Sequence, residues 1–298
     1  MLDEDIYKKL KTKKFIDLIH NQNVTAEIIK DALYDSFNNN AFSTFPYITY
    51  NMNSYKSIKK VNSGNCIALS LFLKNLLKEK YNIISYLIPA TIPIYLQKKG
   101  YLDLSHVALA VPSRDKTVYI ADPAFYFMEP IVLKPNSDYS DIEGSKIFKM
   151  MNIYDDTTSD IKYNLVFNDE KKVYNSYQII PENTYTVNCI NENNSNEYWS
   201  YILREIVNPD TSIGKFFIKI RNLPFLVSTI VEDGICKKNF KVILDSPNTL
   251  SIHHRDKLIY SGSIKDIPIS IVDYVNNEIG KHLDYDFYKT LILTPVPL

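Results

Sequence analysis

Apolar and polar positions follow a helical period up to about residue 80 and a strand period from about residue 84 onward. The predicted helices are DEDIYKKLKTKKFIDLIHN (3–21), TAEIIKDALYDSF (25–37) and CIALSLFLKNLLKEK (66–80), and later YWSYILREIV (198–207) and a stretch near 267–281. The predicted strands are SHVALAV, TVYIAD, PIVLK, YNLVFN, SYQII, KFFIKI, FLVSTIV, FKVIL, LSIHH and KLIYSG. The pattern predicts an α+β protein with three modules.

The predicted modules are a helical domain over 1–83, a β domain over 84–190 and an α/β domain over 191–298 that ends in an extended TPVPL tail. No internal repeat and no low-complexity linker separates them. A chain of 298 residues is long enough for two or three small domains that share a core.

Composition excludes several classes of protein. The 34 basic and 34 acidic side chains cancel, so no net field favours nucleic acid or acidic lipid surfaces. We expect no membrane span, no secretory signal and a cytoplasmic location.

The counts of single residue types give two further indications. The chain has only 7 glycines and is rich in Asn, Ile, Lys and Tyr, which is typical of an AT-rich genome, a viral one included. Three cysteines are too few and too scattered for a disulfide framework, and we interpret Cys189 and Cys236 as structural.

Cys66 lies where a turn meets the start of an apolar helix, in the stretch NSGNCIALS. Gly64 has the backbone freedom for a sharp turn, and Asn65 or Ser63 is suited to cap the helix. A thiol in the first turn is close to the positive end of the helix dipole, which favours the thiolate. Cysteine is also often buried as a plain hydrophobe, so this residue alone leaves both interpretations open.

The stretch SHVALAVPSRDKTVYIADPAF predicts a hairpin in which a five-residue turn separates Val111 from Thr117. In that register His106 is directly opposite Asp122, on the same face of the sheet. A carboxylate that accepts one imidazole N–H fixes the tautomer and leaves the other nitrogen to act as a base. A slip of one residue would put the two side chains on opposite faces.

Two details of the hairpin agree with a catalytic cleft. Ala108 and Ala110 share the face of His106, and we expect these small side chains to leave room for the helix that presents the thiol. Pro123 forces the second strand out of its ladder directly after Asp122. The simpler alternative is a buried His–Asp pair whose side chains hydrogen-bond to each other and have no catalytic role. The order Cys, His, Asp favours a nucleophilic triad, in which we predict Cys66 to be the nucleophile.

These residues resemble the arylamine N-acetyltransferase family, within the papain and transglutaminase-like group of cysteine enzymes. The resemblance covers nearly the whole chain and includes the separations of 40 and then 16 residues between the triad members. The segments that carry it are FSTFPYITYN at the place of the family's VPFEN, SGNCIALSLFL at its R-G-G-x-C-x-x-x-N-x-L pattern, SHVALAV, YIADPAF at its D-x-G-F-G strand, and FLVSTIVEDGICKKNFKVIL.

The resemblance implies a helical bundle, a central β-barrel-like domain and a C-terminal α/β domain around a cysteine-proteinase-like core. It implies transfer of an acetyl group from acetyl-CoA, or another acyl-CoA, through an acyl-cysteine to an arylamine or hydrazine. Cys66, His106 and Asp122 match the family's triad. Phe125 matches a wall of the acceptor pocket, and Gly64 and Asn65 are further candidate substrate contacts. The partners would be small molecules, with a monomer or weak homodimer as the oligomeric state.

Two other functions stay open. The family's glycines after the aspartate are lost here, where Pro123, Ala124 and Phe125 follow Asp122, and an Asp-Pro step is more typical of transglutaminase-like or peptidase-like amidases. A non-enzymatic structural or binding protein could also use this fold. Neither interpretation calls for a metal: His253 and His254 are adjacent on a predicted strand and point to opposite faces, so a solvated hairpin tip is expected there.

Overall fold

A computed structural model describes residues 16–48, 54–90, 106–135, 145–151, 156–163, 165–168, 170–176, 225–246, 249–255 and 257–279. Within these ranges the chain mixes helices and strands, which confirms the predicted α+β class. No helix in these ranges is both long and apolar enough to cross a membrane. The predicted helix over 198–207, the strand KFFIKI and the TPVPL tail lie outside the described residues, as do residues 3–15 of the first predicted helix and all of SYQII after Ser176.

The helices are α1 (Ala26–Asn39), α2 (Phe45–Ile48), α3 (Ser54–Val61), α4 (Cys66–Tyr81) and α5 (Ile269–Ile279). Short 3-10 turns cover Pro123–Phe125 and Ile264–Asp266. The strands are β1 (Ile16–Asp17), β2 (Ala41–Ser43), β3 (Ser63–Gly64), β4 (Tyr86–Ala90), β5 (His106–Pro112), β6 (Val118–Ala121), β7 (Ile131–Leu133), β8 (Ser145–Met151), β9 (Asp156–Lys162), β10 (Val166–Asn168), β11 (Val173–Ser176), β12 (Phe225–Glu232), β13 (Ile235–Ser246), β14 (Thr249–His254) and β15 (Lys257–Ser263).

The described residues divide into two compact units whose segments alternate along the chain. The first unit takes the chain up to Leu33 and from Ser70 to Ser176, and the second takes Tyr34–Leu69 and the residues from Phe225 onward. Helix α4 therefore begins in the second unit and continues in the first. The division into three consecutive domains stays a prediction.

The first unit contains an antiparallel sheet β4-β5-β6-β7, a smaller antiparallel sheet β1-β11-β10 and the ribbon β8-β9. Its core is one cluster of side chains from the two sheets and the segments beside them, including Ile88, Ile120 and Tyr174. All seven residues of β5 are buried, so this strand is covered on both faces. No closed barrel forms among the described residues, so the barrel-like arrangement expected for the central domain is not observed there.

The second unit contains one six-stranded sheet in the order β15-β14-β13-β12-β2-β3. Its neighbours are antiparallel except for β2 and β3, which are parallel. Helix α5 confirms the predicted last helix and packs Val275 into a core with Phe240 and Leu250. Strand β3 of this sheet ends two residues before Cys66, the first residue of α4.

The end of the first predicted helix is wrong. Ile16 and Asp17 form strand β1 and pair with Ser176 and Asn175 of β11. Gln22, just beyond, donates from Nε2 to the carbonyl of Pro112, at 2.8 Å. These partners are far away in sequence, and the backbone pairing of β1 together with the side-chain contact of Gln22 overrides the local helical spacing of apolar residues.

Candidate active site

The hairpin β5–β6 carries two of the predicted triad members, in a register that differs from the predicted one. Val111 is opposite Tyr119 and not opposite Thr117, so the strands are shifted by two residues. The ladder ends where Leu109 meets Ala121, one residue before Asp122. His106 and Asp122 are therefore diagonal neighbours, and the prediction that they are directly opposed is wrong. A shift of two residues keeps every side chain on its predicted face, since faces alternate with a period of two.

The cause of the shift is a shorter turn than predicted. The amide of Ser113 donates to the carbonyl of Thr117 at 2.8 Å, which leaves three residues in the turn in place of five. Lys116, the last of them, has a left-handed backbone with φ of 66°. Asp115 accepts hydrogen bonds from the amide and hydroxyl of Thr117 at 3.1 and 3.0 Å. This is the geometry of a three-residue hairpin that closes with a left-handed residue.

His106 and Asp122 form a direct hydrogen bond in spite of the shifted register. Nε2 of His106 lies 2.7 Å from Oδ2 of Asp122, and the two side chains are 2% and 0% exposed. Diagonal neighbours on a sheet have Cβ atoms about 7–8 Å apart, which an imidazole can bridge. Because a carboxylate only accepts, Nε2 carries the proton of this hydrogen bond, and Nδ1 is the nitrogen that would exchange a proton with a nucleophile.

A third residue, Tyr163, completes the environment of the carboxylate. Its hydroxyl donates to the same Oδ2 of Asp122 at 2.9 Å. Burial, followed by the negative charge of Asp122 and the hydrogen bond to it, raises the pKa of Tyr163 well above its ordinary value of 10.0. The phenol therefore stays protonated and donates throughout the physiological range. Sequence reasoning missed this residue, because 23 tyrosines offer no local pattern that singles one out.

Phe125, which the resemblance implies as a wall of the acceptor pocket, also lies beside His106. The two rings are in an edge-to-face arrangement with centroids 4.7 Å apart and an interplanar angle of 70°. Phe125 ends a 3-10 turn that begins at Pro123, and Tyr126 closes the turn with a left-handed backbone, φ 55° and ψ 37°. A bulky residue rarely adopts this conformation, and in the family's D-x-G-F-G pattern a glycine occupies its place.

Cys66 is the first residue of α4 and an unbridged thiol that is 8% exposed. Asn65 caps the helix, since its Oδ1 accepts the amides of Ile67 and Ala68 at 3.1 and 3.2 Å. The same oxygen accepts the hydroxyl of Ser54 in α3 at 3.0 Å. The predicted capping role of Asn65 is confirmed, and the cap fixes the turn from which the thiol projects.

The turn-forming role predicted for Gly64 is wrong, whereas its role as a substrate contact stays a prediction. Gly64 lies in strand β3 opposite Phe42, whereas the left-handed residue of this loop is Asn62, with φ of 47°. The loop is also tied to α3 by a short hydrogen bond from the hydroxyl of Ser57 to the carbonyl of Ser63. The turn before the thiol is therefore shaped by buried polar contacts and an asparagine, a residue type that tolerates this backbone conformation.

The space beside the two alanines of β5 is not left for α4. Ala108 and Ala110 belong to the buried cluster of the first unit, which among the described residues includes none from α4. The prediction that they make room for the thiol's helix is wrong, because side chains such as Phe127, Tyr163 and Tyr174 pack in the cluster on that face. Helix α4 instead contacts β5 through the hydroxyl of Ser70, which donates to the carbonyl of Val107 at 3.2 Å.

Among the residues that the structure describes, the other candidates form no second site. His254 stacks on Phe240 with ring centroids 4.4 Å apart and shares a short hydrogen bond with Tyr274, so the pair with His253 is only partly a solvated hairpin tip. In the described part of the chain, no three acidic, histidine or cysteine side chains group as metal ligands do. Cys236 lies in β13 beside Val231, and Cys189 is outside the described residues.

No protein-family model matches the chain, and the comparison with curated proteins found no match. Solved structures of arylamine N-acetyltransferases do match over most of their length. The enzyme from M. tuberculosis superposes with a TM-score of 0.52 at 13% identity, covering 93% of each chain. Arylamine N-acetyltransferase C from Bacillus anthracis gives 0.51 at 13% identity, covering 93% of this chain and 97% of the other. The enzyme from Mycobacterium abscessus gives 0.51 at 10% identity, covering 93% and 90%.

These similarities confirm the resemblance predicted from the sequence motifs. The chain has the fold of the arylamine N-acetyltransferases. At 10–13% identity the likeness establishes the fold, and the reaction must be argued from the site itself.

Proposed function

We propose that this protein is a cysteine acyltransferase that moves an acetyl group from acetyl-CoA, or another acyl-CoA, to an arylamine or hydrazine. The observation that carries the proposal is the buried 2.7 Å hydrogen bond between Nε2 of His106 and Oδ2 of Asp122, on the fold of the arylamine N-acetyltransferases. Cys66 at the start of α4 is the proposed nucleophile.

The first half-reaction forms an acyl-cysteine. Nδ1 of His106 takes the proton of the Cys66 thiol, and the thiolate attacks the carbonyl carbon of the donor thioester. The bond between that carbon and the sulfur of CoA then breaks, and the imidazolium returns the proton to the departing CoA thiolate. Asp122 keeps Nε2 protonated and stabilises the positive charge on the ring.

The second half-reaction transfers the acyl group to the acceptor. The amine nitrogen attacks the acyl-cysteine carbonyl and gives up a proton to Nδ1 of His106. The bond between that carbonyl and the sulfur of Cys66 breaks, and the proton returns to the sulfur. Unpaired backbone N–H groups at the start of a helix are suited to stabilise the oxyanion in both steps. Phe125, beside the imidazole, offers an aromatic face to an aryl acceptor.

Intact mass spectrometry tests the proposal. Incubation with acetyl-CoA should add one acetyl group to the wild-type chain, and the adduct should be lost when an aromatic amine is added. The adduct should be absent in Cys66→Ala and present in the matched variant Cys236→Ala. Labelling of Cys66 by amide or peptide probes, with no adduct from acyl-CoA, would instead support the amidase that the Asp122-Pro123 step suggests.

A further inference from the structure

Tyr163, Ala90 and His106 lie side by side in one row across three adjacent backbone segments. Ala90 is the pairing partner of His106 in the β4–β5 ladder, and it also forms an isolated antiparallel bridge with Tyr163. Residues that are directly opposite each other place their side chains on the same face of a sheet. The row therefore puts a phenol and an imidazole on one face, with the small side chain of Ala90 between them.

This arrangement brings two donors to one carboxylate oxygen. Oδ2 of Asp122 accepts from Nε2 of His106 at 2.7 Å and from the hydroxyl of Tyr163 at 2.9 Å. Oδ1 of Asp122 is buried and has no hydrogen-bond partner among the described residues. The orientation of this carboxylate is thus determined by the imidazole and the phenol together, and Tyr163 is the donor that does not take part in proton exchange.

The surroundings make this second donor important. Among the buried residues that the structure describes, Asp122 is the one carboxylate and His106 the one imidazole, and there is no lysine or arginine. The phenols of Tyr86 and Tyr174 belong to or pack against the hydrophobic cluster on this face and carry no charge near neutral pH. In such buried surroundings, a hydrogen bond to a carboxylate acts strongly on the group that shares it.

We propose that Tyr163 is a positioning residue that acts on His106 through Asp122. Its hydroxyl fixes the carboxylate in the orientation that receives Nε2, and it takes up part of the negative charge. The imidazole consequently holds its proton less tightly than it would against a carboxylate with a single donor. The inference rests on the proposed role of His106 as the base, and it extends the site beyond the three residues that the sequence predicts.

The test is a titration of the His106 ring by NMR in protein labelled at histidine, with His106→Gln used to assign the resonances. Tyr163→Phe removes the hydroxyl and keeps the ring. The midpoint of the His106 titration should rise by about 0.5 to 1 pH unit, because the carboxylate loses a donor and holds the imidazolium more strongly. The proton on Nε2 should also move downfield, as expected for a stronger hydrogen bond.

Tyr174→Phe is the matched control. Tyr174 is a buried phenol of the same cluster, but its hydroxyl donates to the carbonyl of Lys134 at 3.3 Å and not to a carboxylate. Its removal should leave both NMR signals of His106 unchanged. Thermal unfolding of the two variants shows how much of any effect comes from stability alone.

Turnover provides a second measurement. Tyr163→Phe should lower the acetyl-transfer kcat about 10-fold and leave the KM for the acyl donor within about 2-fold.

In the NMR experiment on Tyr163→Phe, titration midpoints and Nε2 proton shifts of His106 that coincide with those of the wild type, or that move in the opposite direction, would overturn the inference. Failure of the proposed acyltransferase reaction would show as an absent acetyl adduct, while the NMR signals would still report on Tyr163.

Discussion

Cys66 and His106 are held by interactions of very different range along the chain. The turn before the thiol is held mainly from nearby, because Oδ1 of Asn65 accepts amides two and three residues further on. The imidazole depends on a carboxylate 16 residues away and, through that carboxylate, on a tyrosine another 41 residues away. A local change should therefore alter the thiol region, whereas the position of His106 depends on the register and packing of the whole first unit.

The largest expected effect comes from Asp122→Asn. The amide keeps the size of the side chain but removes the charge that stabilises the imidazolium and fixes its tautomer. The single-turnover rate of acetyl transfer should fall about 10³- to 10⁴-fold. Asp115→Asn is the matched control, because Asp115 lies in the turn of the same hairpin and contacts Thr117 only locally. A rate for Asp122→Asn within about 10-fold of the wild type would contradict the assigned role of this carboxylate.

A smaller effect is expected at the thiol's helix. Asn65→Ala removes the cap of α4 and the acceptor for Ser54, and should lower the free energy of unfolding by about 1–2 kcal/mol in urea titrations. Asn65→Asp keeps an acceptor at the same place and should preserve most of the stability. Its new negative charge beside Cys66 should, however, slow alkylation of the thiol. Equal stabilities for the two variants would contradict the capping role.

The smallest expected effect concerns the hairpin turn. Lys116→Gly places a glycine where the backbone is left-handed and should raise the free energy of unfolding by about 0.5–1 kcal/mol. Arg114→Gly, in the same turn but outside the left-handed region, should lower it. Denaturant melts of the two variants measure the difference. A destabilised Lys116→Gly would mean that the turn is not the three-residue type described above.

Alternation of apolar residues predicted which face of the hairpin carries His106 and Asp122, but it could not predict the register. Alternation has a period of two, so a shift of two residues leaves the pattern unchanged. The register was decided by the turn, where the side chain of Asp115 and the left-handed Lys116 favour three residues over five. The hydrogen bond between His106 and Asp122 was predicted correctly in spite of the wrong register, because an imidazole is long enough to reach a diagonal neighbour.

The helix at Cys66 and its cap were predictable because their determinants lie within a few residues. Asn65 precedes an apolar helix in a position that favours capping, and the structure confirms it. The strand at Ile16 and the contact of Tyr163 were not predictable in this way. Both depend on pairing with distant segments, β11 in one case and Ala90 of β4 in the other, and nothing in the adjacent sequence encodes such pairing.

The central claim is that His106 activates the thiol of Cys66. Its most direct test is the rate at which iodoacetamide alkylates Cys66, followed by peptide mass spectrometry in the wild type and in His106→Gln, with Cys236 of the same chain as internal standard. The account predicts that alkylation of Cys66 slows about 100-fold in His106→Gln, while the rate at Cys236 is unchanged. Equal rates at Cys66 in the two proteins would contradict it.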